Sequence, residues 1–90
     1  MIVRIAEDDQ YRLDEAHAAE FEQRDQGLLA AVHANDHVAF HTLLADLLAF
    51  IRTNGTKVPL TEIFPSDFVV PAEDMTLVEA QRLVESDATA

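Results

Sequence analysis

His33, His37 and His41 recur at intervals of four in HANDHVAFH. On one continuous helix that spacing stacks three imidazoles along a single face, which is how a helix assembles a site for zinc, copper or nickel. Asn35 and Asp36 stand between the first two rings. Asn is a residue that stops a helix in the left-handed conformation, and Asp is a favourable cap for the helix that follows. His33 is therefore expected at the end of one helix, and His37 and His41 at the start of the next. His37 and His41, with Asp36 or Asp46 as oxygen donors, are the residues a metal would use. The simpler reading of the pair is a solvated helix face.

Catalytic chemistry has few carriers. The chain has no cysteine, and Ser66 and Ser86 lie in no G-x-S-x-G setting. Gly27 and Gly55 are its two glycines, which excludes a glycine-rich phosphate cradle. Carboxylates abound, but acid–base pairs need opposed environments within a pocket, and a domain of this size has little depth for one. No enzyme activity, catalytic residue or cofactor is expected.

Those residues must be positioned by one small domain. Ninety residues bury only roughly 60% of the surface the unfolded chain exposes, so such domains are commonly supplemented by oligomerisation or a partner. Acidic side chains number 17 against 6 basic ones, a formal net charge of −11. That charge opposes contact with nucleic acid or anionic lipid and favours a partner with basic surface. No apolar run approaches the roughly 20 residues of a membrane span, and the N-terminus turns acidic at Glu7, unlike a signal peptide. A cysteine-free chain of this kind is expected in the cytoplasm.

The apolar pattern predicts an α+β fold in a single domain over 1–90. Residues 1–13 read as a β-hairpin, IVRIA then QYRL, turning at Asp8-Asp9. Residues 14–54 read as a helical hairpin. Asp14 is its first N-cap, and Ala18, Phe21, Leu28, Leu29 and Val32 form the first stripe. Gly27 interrupts that helix and marks either close packing or a weak spot. Phe40, Leu44, Leu47 and Ile51 form the second stripe, and the helix stops at Asn54-Gly55. Residues 55–71 are a crossing loop and a third short strand, DFVVP, beside the first. Thr76 and Glu79 form a T-x-x-E capping box for a short helix within 72–85, before a frayed tail at 86–90.

Two segments are candidate partner interfaces. Leu43, Leu48 and Phe50 widen the second stripe beyond what one hairpin is expected to bury, and surplus apolar surface marks an interface. Pro65, Ser66 and Asp67 form the second segment. Its simpler reading is a turn that delivers a strand to the sheet edge, with Ser66 and Asp67 bonded to local backbone.

The ordered string MIVRI, QYRLD, LLAAV, Gly55-Thr56, Pro59, IFPSDFVVP (63–71) and DMTLVEA (74–80) resembles the PspA-associated family, PspAA. The C-terminal blocks carry most of that resemblance. EDDQ replaces a turn in which glycine is expected, Arg24 stands where an apolar residue would suit the helix, and the tail differs. The resemblance implies a non-enzymatic accessory or regulatory protein beside PspA, the coiled-coil effector of the phage-shock envelope-stress response. It implies contacts with a PspA-like coiled coil and recruitment to the inner membrane surface through that partner, without insertion. A histidine–carboxylate metal-binding or metal-responsive protein is the alternative from another class. A structural homo-oligomer, such as a dimer of paired helical hairpins, is a third reading, compatible with the adaptor role.

Overall fold

A computed structural model of the chain describes residues 1–6, 9–59 and 64–89. The elements in chain order are β1 (Ile2–Ile5), β2 (Gln10–Arg12), α1 (Glu15–His33), α2 (His37–Asn54), β3 (Thr56–Lys57), β4 (Phe68–Val70) and α3 (Leu77–Thr89). The α+β class holds, with a sheet that has, among the described residues, four strands in the order β3-β2-β1-β4.

β1 and β2 form the expected antiparallel hairpin, with Val3 opposite Tyr11 and Arg4 opposite Gln10. Ile5 N–H donates to the Asp9 carbonyl at 3.1 Å near the turn; Asp8 lies outside the described residues. β4 runs parallel to β1, pairing Val3 with Phe68 and Ile5 with Val70, which places DFVVP beside the first strand as its pattern predicts. β3 is an addition to the expected loop: Thr56 and Lys57 pair with Arg12 and Tyr11. Two residues carry no periodicity, so only the presence of β2 reveals them as a strand.

The helical hairpin turns at Asn35, whose φ is 57°. Asp36 N–H donates to the Ala31 carbonyl at 3.0 Å and Asn35 N–H to the Val32 carbonyl at 3.2 Å, the two bonds of a Schellman closure. Asp36 then caps α2, its Oδ1 accepting from Ala39 N–H at 3.1 Å. From α3, Gln81 Nε2 donates to the Val32 carbonyl at 3.3 Å and to Asn35 Oδ1 at 3.2 Å, tying the third helix to this corner.

Asp14 occupies the N-cap position of α1 in extended backbone, but its side chain makes no capping bond. Its carbonyl accepts from His17 N–H at 3.0 Å instead. Gly55 ends α2 at the expected place for a different reason. Its φ is −89°, not left-handed. A Cβ there would lie 2.6 Å from the Ile51 carbonyl oxygen and 3.2 Å from Tyr11 Cβ, so contact rather than torsion demands glycine. Gly27 has nothing within 4 Å of such an atom, and is the weak spot of the two expected alternatives.

The capping box at Thr76 and Glu79 forms in both directions. Thr76 N–H donates to Glu79 Oε1 at 3.1 Å, and Glu79 N–H to Thr76 Oγ1 at 3.2 Å. α3 continues to Thr89, so most of the segment expected to fray is helical.

The core lies between the inner sheet face and the hairpin. Val3, Ile5 and Val70 meet Phe21, Leu28 and Val32 of α1, Phe40, Leu44, Leu47 and Ile51 of α2, and Leu77 of α3. All are essentially inaccessible, and each large side chain among them contributes about 1.5–3 kcal/mol by burial.

Candidate interaction surfaces

The structure separates the three histidines as the Asn35 break predicts. His33 closes α1 and His37 opens α2, with His41 one turn further; all three are exposed. The oxygen donors beside them are engaged: Asp36 caps α2, and Asp46 Oδ2 accepts from Arg24 Nε at 3.2 Å. Among the described residues no three His, Asp or Glu side chains come together as a metal-holding group.

A fourth histidine belongs to no spacing pattern, so nothing in the sequence singles it out. His17 is half-buried against Phe50, edge to face, with centroids 6.1 Å apart. Its Nδ1 is buried and, among the described residues, unbonded.

The expected apolar surplus on α2 is corrected. Leu48 is 2% exposed and Phe50 8% exposed, so both belong to the core of this chain. Leu43 is partly buried and packs against that core. Phe50 is sealed by polar side chains of α1: the Arg24 guanidinium lies 4.4 Å from its ring centroid and His17 meets its edge. Helical spacing locates apolar residues but does not reveal that a cation's planar group serves as their cover. The large apolar side chain left in solvent on α2 is Val38, 80% exposed.

Pro65 and Asp67 are exposed and Ser66 half-buried. Their bonds are not local, contrary to expectation. Ile2 N–H donates to Asp67 Oδ2, and Asp67 N–H to the Ile2 carbonyl, both at 2.8 Å. Gln10 Nε2 donates to Ser66 Oγ at 2.8 Å and to the Phe64 carbonyl at 2.9 Å. Ser66 and Asp67 thus fasten the end of the chain's crossing to β1 and β2. That fits the simpler reading, in which the segment delivers β4 to the sheet.

Charge is distributed unevenly. Arg24 pairs with Asp46 and approaches Glu20 at 3.7 Å, Arg52 pairs with Glu73 at 3.2 Å, and Lys57 with Asp9 at 3.0 Å. Along the outer side of α1, Asp14, Glu15 and Glu22 are exposed and meet no cation among the described residues. The outer face of α2 presents Val38, His41, Ala45, Ala49 and Arg52. An open groove of ≈ 420 Å³ lies on this face, bounded by His41, Ala45, Ala49, Arg52 and Glu73 above the buried Leu44 and Leu48. No helix among the described residues is long and apolar enough to cross a membrane.

Residues 1–90, the whole chain, match the family described as PspA-Associated protein, PspAA. Comparison with curated proteins and with solved structures gives no match.

Proposed function

The chain belongs to the PspA-associated family, and from that premise we propose that it is a non-enzymatic accessory protein of a PspA-type system. It acts through protein–protein contacts in envelope-stress and membrane maintenance. It works in the cytoplasm and reaches the inner membrane surface through its partner. The observation that carries this reading is the family match over the full chain, joined to the exposed carboxylates on the outer side of α1.

A PspA-like coiled coil that binds anionic membranes must present basic surface, and that is the surface a chain of charge −11 attracts. Glu15 and Glu22 lie two turns apart on one face of α1, with Asp14 at its N-cap, and these carboxylates can compete with lipid for the same cations. Contacts of this exposed kind set association rate and salt sensitivity more than raw affinity.

Pull-down and titration with the cognate PspA-like coiled coil test the proposal. A complex is expected that weakens as salt rises and weakens again in the double variant Glu15→Lys, Glu22→Lys. No complex, or one indifferent to both salt and variant, overturns it.

A further inference from the structure

We infer that the outer face of the sheet is a docking surface for an acidic helix of a protein partner, with Arg4 and Arg12 as the groups that receive its carboxylates. The contact is separate from the one at α1. The helices pack on the inner face of the sheet, so the outer side of α1 and the outer face of the sheet point away from each other.

Alternation divides the residues of β1, β2 and β4 between two faces. Val3, Ile5 and Val70 enter the core, and Tyr11 and Phe68 pack against it. Ile2, Arg4, Gln10, Arg12 and Val69 take the opposite face. Register sets Ile2 across from Arg12, and Arg4 between Gln10 and Val69. The two arginines are therefore diagonal neighbours, about 7–8 Å apart at Cα. Both are exposed, and Ile2 and Val69 beside them are half-buried.

In a chain with 17 acidic side chains, acids for these cations are plentiful. Arg24, Arg52 and Lys57 each have one, yet Arg4 and Arg12 meet no carboxylate among the described residues. Asp67, beside Ile2, gives its Oδ2 to the Ile2 N–H instead. Arg12 is also held in place, its guanidinium over the Phe64 ring at 5.1 Å from the centroid. Gln10 Nε2 anchors the segment that carries this ring, donating to the Phe64 carbonyl at 2.9 Å and to Ser66 Oγ at 2.8 Å. Stacking engages the flat face of the guanidinium and leaves its N–H edge for a carboxylate.

The occupant follows from the shape and charge of this face. An extended chain laid across it would leave its own backbone N–H and C=O groups unpaired, whereas a helix satisfies them internally. Carboxylates at i and i+4 of a helix stand about 6 Å apart along its axis, close to the spacing of the two arginines. Apolar residues flanking them cover Ile2 and Val69. A membrane or a nucleic acid is a broad anionic surface, and it meets the rest of a chain of charge −11 along with the two cations. A single acidic helix touches the cations alone.

An NMR titration of the isotope-labelled protein tests this, with a synthetic helical peptide carrying glutamates at i and i+4 flanked by leucines. The Arg4 and Arg12 Nε–H signals and the Ile2 and Val69 amides should shift together and saturate, less tightly as salt rises. The double variant Arg4→Gln, Arg12→Gln should weaken binding at least about tenfold, with an unchanged circular dichroism signal as the folding control. The same peptide with lysines for its glutamates should leave those signals in place. Signals unmoved by the glutamate peptide, moved equally by the lysine peptide, or binding unchanged in the glutamine variant overturns the inference. Tighter capture of phosphatidylglycerol vesicles by the same arginines also overturns it, as does self-association that the glutamine variant abolishes, since each gives the face to another occupant. The α1 contact stands or falls separately, with the Glu15 and Glu22 variants.

Discussion

Arg24 lays its guanidinium over the ring of Phe50, 4.4 Å from the centroid, while its Nε donates to Asp46 Oδ2 at 3.2 Å. One side chain of α1 thus roofs an apolar residue of α2 and holds an acid on the same helix. This contact explains why a residue that interrupts the apolar stripe of α1 is structurally useful, and why Phe50 is not available as an interface. Arg24→Ala should cost about 1–2 kcal/mol, through the lost cation–π contact and lost cover more than through the exposed ion pair. Urea unfolding measures it, and a change below about 0.3 kcal/mol would show that the contact contributes nothing.

The two glycines should respond oppositely to alanine. Gly27 sits within α1 with open space where a methyl group would stand, so Gly27→Ala should stabilise by about 0.5–1 kcal/mol. Gly55→Ala drives a methyl into the Ile51 carbonyl and Tyr11 and should destabilise by about 1–3 kcal/mol. Thermal melts of the pair decide it; equal signs would refute the contact argument.

Asp67 is expected to act as a hydrogen-bond acceptor rather than as a charge. Asp67→Ala strips the Ile2 N–H of its side-chain partner and should cost about 1–2 kcal/mol. Asp67→Asn keeps an acceptor oxygen and should recover most of that loss. Amide exchange at Ile2 provides the local readout, rising in the alanine variant and staying close to the parent in the asparagine variant.

Thr76 and Glu79 should prove coupled. Each accepts a backbone bond from the other's residue, so Thr76→Ala should cost about 1 kcal/mol. In a double-mutant cycle with Glu79→Ala the two losses should fail to add. Additive losses would mean that the reciprocal box is not formed in solution.

Zinc titrated into the protein at low micromolar concentration should release no heat. His37 and His41 alone leave a cation two ligands, whereas a stable zinc site uses three or four protein ligands. Asp36 and Asp46 are already bonded to Ala39 N–H and Arg24. Tight binding abolished by His41→Ala would restore the metal-binding alternative.

Much of this molecule is written in local pattern. Alternation over IVRI and QYR, the two helical stripes, Asn35 in its left-handed turn and the Thr76–Glu79 box depend on neighbours within about one turn or one hairpin. Short-range spacing therefore suffices to read them. The order of the PSDFVVP and DMTLVEA blocks likewise carries the family from sequence alone.

Other features exist only where distant segments meet. Thr56-Lys57 becomes a strand because β2 offers a partner, and Gly55 is required because Tyr11 and Ile51 crowd it. Ser66 and Asp67 bond to Gln10 and Ile2, residues more than fifty positions away. Phe50 is buried because Arg24 and His17 close over it, leaving Val38 as the large exposed apolar residue of α2. Hydrophobic periodicity ranks which side chains seek cover. The packing of one helix against another decides which of them find it, because burial belongs to pairs of surfaces and not to a single element.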